Sequence, residues 1–186
     1  MEYIPVKDLM IPLDEYATVP ADATLYDAIV SLEEAQKNVQ GKKPLHRAVL
    51  VEDTEGRIVG KVGHEAFLQA LEPKYGKTPD VEKLASARVS EFYIQSMMDH
   101  FHLWEDNLKD ICKRSRSTKV KDAMRPVTEN IDAEASLDEA IHKFVMWQCL
   151  SLLVLKDDQI IGILRLSDLY DQMVTFIQTR CDQQHD

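Results

Sequence analysis

The sequence has little of what marks several common functional classes. Its three cysteines, Cys112, Cys149 and Cys181, are scattered through 186 residues. An odd, dispersed set forms neither a disulfide framework nor a metal knuckle, and a reducing, cytoplasmic setting is the simplest expectation. No apolar run is long enough to cross a bilayer. The opening MEYIPVKDLM has neither the basic flank nor the apolar stretch of a signal peptide. Cations are in the minority: 22 Lys and Arg face 32 Asp and Glu, a formal net charge of -10. An acidic surface repels phosphate backbones, so no nucleic-acid partner and no membrane are expected. Catalytic signatures are missing too, with no G-x-S-x-G, P-loop or H-E-x-x-H. His100 and His102 are two apart, which on a helix turns them about 200° from each other and prevents a shared metal. Asp157-Asp158 lies between two apolar runs and reads as a turn. No nucleophile stands at a credible spacing from a base, so neither an enzymatic activity nor catalytic or metal-binding residues are expected.

What the chain does contain is a repeat. VKDLMIP occupies positions 6–12 and VKDAMRP positions 120–126, five of seven residues identical. After these come TVPADATLYDAIVSL (18–32) and NIDAEASLDEAIHKF (130–144). Leu25, Ala28, Ile29 and Leu32 match Leu137, Ala140, Ile141 and Phe144, the i, i+3, i+4, i+7 spacing of one buried helix face. Thr24 with Asp27, and Ser136 with Glu139, read as hydroxyl caps followed by an acid three residues on. Two short apolar runs follow in each half: AVLV (48–51) and IVGKV (58–62), then LLVL (152–155) and IIGIL (160–164). Their length and branched composition read as buried strands. Gly60 and Gly162 lie inside the second run of each half, marking either a bulge or a close approach by another backbone or a ligand. Short helices, HEAFLQAL (64–71) and SDLYDQM (167–173), close the two halves.

Each half predicts a three-stranded layer with two helices on one face and the other face bare. Two halves can bury these bare faces against each other in approximate twofold symmetry. A single half of roughly 60 residues is marginal alone. The expected fold is α/β, with two β-α-β-β-α repeats in pseudo-twofold symmetry and a helical insert between them. The expected boundaries are 1–72 and 118–175 for the repeats, 73–117 for the insert and 176–186 for a tail. Within the insert, helical from Val81, the residues Ile94, Met97, Met98, Phe101, Trp104, Leu108 and Ile111 form one apolar stripe on a long amphipathic helix. Such a stripe is either simple packing or a partner or dimer face.

The order of these motifs, stated twice with matching gaps, resembles the CBS domain, and the doubling resembles the tandem CBS pair or Bateman module. The resemblance covers roughly residues 1–72 and 118–175 and is stronger in the second copy. It implies a regulatory module that performs no chemistry, binds adenosine-containing ligands such as AMP, ADP, ATP or S-adenosylmethionine between the copies, and forms disc-shaped homodimers. In this family Gly-x-x-Thr-x-x-Asp follows the last strand, and its Asp accepts hydrogen bonds from a ribose. Gly162-Ile-Leu-Arg165-Leu-Ser167-Asp168 keeps the glycine and the acid and puts Arg165 at the threonine position. From residue chemistry alone, Asp168 is a helix-terminal acid beside Ser167; the resemblance adds the ribose role. Arg165, three residues earlier, is the phosphate candidate. In the first copy Gly63 and Ala66 stand at the threonine and Asp positions, so unequal clefts are expected, with Glu65 pointing elsewhere on its helix. The matching wall of the Asp168 cleft falls on Ala17, Thr18, Leu45 and His46. His46 either stacks on a base or touches phosphate, or else is a solvated loop histidine. The basic run KRSRSTKVK (113–121) either faces a cleft or is a solvated linker.

Two functions therefore stand: a sensor of an adenosine-type ligand that modulates a partner protein, with the regulated target on another chain, and a ligand-free dimerisation or interaction scaffold.

Overall fold

The computed structural model of the chain describes residues 3–38, 46–78 and 90–182. In the first copy, β2 (Thr18–Pro20) leads into α1 (Leu25–Asn38), then β3 (Ala48–Glu52), β4 (Ile58–Gly63) and α2 (His64–Leu71). In the second copy, β6 (Asn130–Asp132) leads into α6 (Leu137–Trp147), then β7 (Ser151–Lys156), β8 (Gln159–Arg165) and α7 (Leu166–Asp182). The predicted caps form. Thr24 and Asp27 bond reciprocally, with Thr24 N–H donating to Asp27 Oδ2 at 2.8 Å and Asp27 N–H to Thr24 Oγ1 at 3.2 Å. Ser136 Oγ accepts from Glu139 N–H at 3.3 Å. Asp157 and Asp158 make the β7–β8 turn, with φ values of 51° and 60°, a conformation that Asp tolerates. The closing helix α7, expected over 167–173, runs on to Asp182, because no glycine or proline interrupts 171–182.

Each sheet has four strands rather than three, because the opening segments change sides. VKDLMIP forms β1 (Ile11–Pro12), which pairs antiparallel with β8 of the second copy. VKDAMRP contributes α5 (Val120–Ala123) and β5 (Arg125–Pro126), and β5 pairs antiparallel with β4 of the first copy. The strand orders are β2-β3-β4-β5 and β1-β8-β7-β6. Val6 is fully buried in the second copy's core, with Ile131, Leu137, Phe144, Leu152 and Leu164. Val120 is fully buried in the first copy's core, with Val19, Leu25, Val49 and Val51. The two strand glycines make room for this exchange. A Cβ on Gly162 would lie 2.6 Å from the Ile11 carbonyl oxygen and 2.8 Å from Met10 Sδ; on Gly60 it would lie 2.5 Å from Met124 Sδ. Gly60 and Gly162 pair with Val51 and Val154, where the register shifts, so both a bulge and a close backbone approach are present.

The otherwise bare sheet faces meet through Leu50, Leu153 and Ile163, each at most 1% exposed, with Tyr16 beside them. Fully burying one such aliphatic side chain contributes about 1.5–3 kcal/mol, which makes this seam a principal bond between the copies. The insert departs from expectation. The apolar stripe lies on two helices, α3 (Glu91–Phe101) and α4 (Leu108–Ser117). His102 and Trp104 turn the chain between them in left-handed conformation, φ 51° and 61°. Asn107 caps α4, its Oδ1 accepting from Lys109 and Asp110 N–H. The insert is tied down by Glu72, 1% exposed, which accepts from Trp104 N–H at 2.7 Å and Lys74 N–H at 3.2 Å. The start of the predicted insert helix, from Val81, lies outside the described residues.

Candidate functional site: a groove between the two copies

Where the two copies meet, the first turns of α2 and α7 border one groove of about 700 Å³. Gly63, His64, Glu65 and Ala66 line it from the first copy; Arg165, Leu166, Ser167 and Tyr170 line it from the second. Both helices follow directly on the strands that the opposite lead segment joins, so the strand exchange fixes their separation.

At the second-copy end, Arg165 and Asp168 form a two-pronged ion pair. Arg165 Nε donates to Asp168 Oδ2 and Nη2 to Oδ1, both at 2.6 Å. The guanidinium side chain is 7% and the carboxylate 13% exposed. Two aromatic side chains feel the charges of this ion pair: Tyr16, which lines the groove, and His46, which does not. Tyr16 is 6% exposed and His46 2%, their rings edge-to-face with centroids 4.4 Å apart. Burial pushes the Tyr16 hydroxyl up to about 12, with Arg165 opposing and Asp168 reinforcing the shift. Burial, and next Arg165, lower the His46 pKa, Asp168 working against them. Among the described residues His46 Nδ1 is buried without a hydrogen-bond partner, and an orphaned buried polar group costs about 1–3 kcal/mol.

The first-copy end is charged differently. Cross-strand neighbours Lys61 and Arg125 stand where Ile163 and Ile11 pair in the other sheet. Like charges directly opposite repel, and each has a carboxylate: Lys61–Glu129 at 2.6 Å and Arg125–Glu65 at 3.3 Å. Ala66 is buried in the first copy's core. Glu65, expected to point elsewhere, lines the groove and holds Arg125. Cys149 also lines this end, its thiol pKa raised by burial and by Glu129.

Of the residues singled out in the sequence, Arg165 and Ser167 line the groove; Asp168 is held by Arg165 and His46 packs on Tyr16, but neither Asp168 nor His46 is among the lining residues. His46 is buried rather than a solvated loop residue. Ala17 lies in the first copy's core, its carbonyl accepting from Leu50 N–H at 2.9 Å. Thr18 is in β2 paired with Leu50, and its carbonyl accepts from the Ser31 hydroxyl at 3.2 Å. Neither lines the groove. Leu45 lies outside the described residues. The basic run turns away from the groove. Arg114 pairs with Asp106 at 2.5 Å, Lys121 pairs with Asp22 at 2.7 Å, and Arg116 lies 3.8 Å above the Tyr26 ring. Sequence reasoning missed Tyr16, Lys61, Arg125, Glu129 and Trp147. The available signal was Lys61, a charge inside an otherwise apolar strand.

Among the described residues no group of three or more His, Cys, Asp or Glu is placed to hold a metal, and no helix is long and apolar enough to cross a membrane.

Solved structures share this fold. CBSX2 in complex with AMP superposes with a TM-score of 0.58 at 20% identity, over 92% of this chain and 97% of that one. CBSX2 from Arabidopsis thaliana gives 0.60 at 18% identity, over 95% and 98%. A CBS domain-containing protein of unknown function from Bacillus anthracis str. Ames Ancestor gives 0.62 at 17%, over 92% and 94%. No curated protein matches the sequence significantly. The CBS domain profile matches twice, at residues 6–73 and 120–175, over more than half of the chain and on the two exchanged halves of the fold: the chain belongs to the CBS domain family, as a tandem CBS pair.

Proposed function

We propose that this CBS pair is a regulatory module that binds an adenosine-containing ligand in the groove between its copies and thereby modulates a partner, performing no chemistry itself. One observation carries the reading: Asp168, in the first turn of α7, is ion-paired with Arg165, which lines a groove built by both copies. A carboxylate there accepts both hydroxyls of a ribose, and the groove's volume falls in the range of small-molecule sites. That CBSX2 binds AMP supports the ligand class, of which AMP, ADP, ATP and S-adenosylmethionine are the candidates. Ser167 adds a hydroxyl to the groove's lining. Exposed Val145, Met146, Leu150 and Tyr170 supply an apolar output surface for a homodimer or a regulated protein. Ligand would shift that docking only by binding one arrangement more tightly than the other.

Thermal denaturation with the four candidates tests this. A ligand at a hundred times its Kd adds about 2.7 kcal/mol, a rise in Tm of roughly 5–10 °C for a chain of this size. Asp168→Asn abolishes the rise. If none of the four stabilises the protein, or Asp168→Asn responds like the wild type, the reading is wrong.

A ligand-free scaffold is the second reading, and a separate feature favours it. Helix α3 buries no residue, leaving Phe92, Ile94 and Met98 at 84%, 49% and 41% exposure. In this reading those side chains meet a second copy. A monomer in sedimentation velocity, unchanged by Met98→Glu, rules it out.

A further inference from the structure

The first copy carries a second cavity, built where the two copies differ. Helix α2 stops at Leu71, and the chain turns back through a 3-10 turn at Pro73–Lys77. Its counterpart α7 runs on without a turn from Leu166 to Asp182. The turn, α2, α4 and α5 border a space of about 600 Å³, which has one lining residue, Ala66, in common with the groove between the copies. Its volume lies in the range of small-molecule sites. Its walls are tied in place by the chain itself. Glu72, 1% exposed, accepts from Lys74 N–H in the turn and from Trp104 N–H in the insert. The Tyr75 hydroxyl accepts from Trp104 Nε1 at 3.1 Å. Arg114 donates to the Leu71 carbonyl and to the Asp106 carboxylate.

The lining sets the chemistry. Ala66, Ala70 and Ala123 contribute methyl groups, and Tyr75 an aromatic ring. Arg114 is the one cation in the lining, and Asp106 already neutralises it. Asp122 carries the opposite charge and is exposed. Its neighbour Lys121 is turned to Asp22 at 2.7 Å, and among the described residues Asp122 has no ion pair. We infer that this cavity is a second ligand site, for a small organic cation: an amine or quaternary ammonium whose charge meets Asp122 and Tyr75 and whose carbon body covers the alanines. An aromatic ring attracts a cation through its quadrupole. The chain's net charge of -10 raises the local concentration of cations and repels anions. An anion entering the cavity would meet the Asp122 charge, with both terminal nitrogens of Arg114 already engaged. The inference stands apart from the ribose reading of Asp168, since the two sites use different charged residues.

Isothermal titration of the full chain tests it, with choline, putrescine and dimethylbutanol, the uncharged isostere of choline in which carbon replaces nitrogen. At least one of the two amines should bind saturably, and at least about fivefold more tightly than dimethylbutanol. Asp122→Asn should weaken that binding about tenfold, as loss of a charge-assisted contact does. Tyr75→Leu should weaken it as well; should that variant not fold, Asp122→Asn, at an exposed position, decides the matter. Asp158→Asn, in the β7–β8 turn of the second copy, should bind like the wild type. No saturable binding by either amine, equal binding of dimethylbutanol, or unaltered binding in Asp122→Asn overturns the inference. So does an equal loss in Asp158→Asn, which would trace the attraction to the chain's overall charge and not to the cavity.

Discussion

His46 concentrates the site's electrostatics in one side chain. Its ring is 2% exposed, its Nδ1 has no partner among the described residues, and burial lowers its pKa. A histidine whose folded pKa lies below the ordinary 6.5 binds its proton more weakly in the folded chain. Its contribution to stability is complete above about pH 6.5 and is lost as pH falls through the lower, folded value. Arg165 and Asp168 face it with opposite effects, and Tyr16 packs on it as a neutral ring. Urea midpoints should therefore fall between pH 7.5 and 5.5 in the wild type and fall less in His46→Phe; equal slopes would contradict this. Sequence reasoning placed Arg165 and Ser167, which line the groove, through their fixed spacing from Gly162. It missed Tyr16, which stands in an irregular stretch between two short elements where no periodicity identifies a buried face. It placed Ala17 and Thr18 at the cleft, but the sheet and core claim them through Leu50.

At the scale of elements, the exchanged lead strands explain both strand glycines and predict that they differ. At Gly162 the nearest atom to an added Cβ is a backbone oxygen, Ile11 O at 2.6 Å; at Gly60 it is Met124 Sδ at 2.5 Å, on a flexible side chain. A side chain can rotate away, whereas a paired strand must move bodily. Gly162→Ala should cost about 1–3 kcal/mol, typical of overpacking, and Gly60→Ala less. Equilibrium urea unfolding checks the order, and equal costs would mean that β1 yields as readily as a methionine. The helices and four longer strands were legible because apolar period and length agree over five or more residues. The exchange was not, because β1 and β5 are two residues each and carry no pattern that assigns them to a sheet. The insert's single long helix was misread for a related reason. The turn at His102–Trp104 contains no glycine or proline, and its one local sign is the Asn107 cap with Asp110 three residues on.

For the whole molecule, the exchange makes the two copies one cooperative body. Val6 completes the second copy's core and Val120 the first's, while Leu50, Leu153 and Ile163 join the sheets. Calorimetry should show a single transition whose van't Hoff and calorimetric enthalpies agree; two separable transitions would show that the halves fold independently. Val6→Ala, made in the first lead segment, should lower that one transition and cost about 1–3 kcal/mol, as removal of buried methyl groups does. The pairing of halves was legible from the repeat itself, and so was their inequality at Asp168 and Ala66. The charged first-copy end of the groove was not, since Lys61, Arg125, Glu65 and Glu129 come from separate segments that only the fold brings together. The central claim is the proposed ligand site in the groove, and the most direct measurement is a crystal structure of the protein grown with AMP. The account predicts the ribose hydroxyls on Asp168, with the nucleotide in the groove between the copies. An Arg165–Asp168 pair still closed at 2.6 Å, with the nucleotide elsewhere or not bound at all, would contradict it.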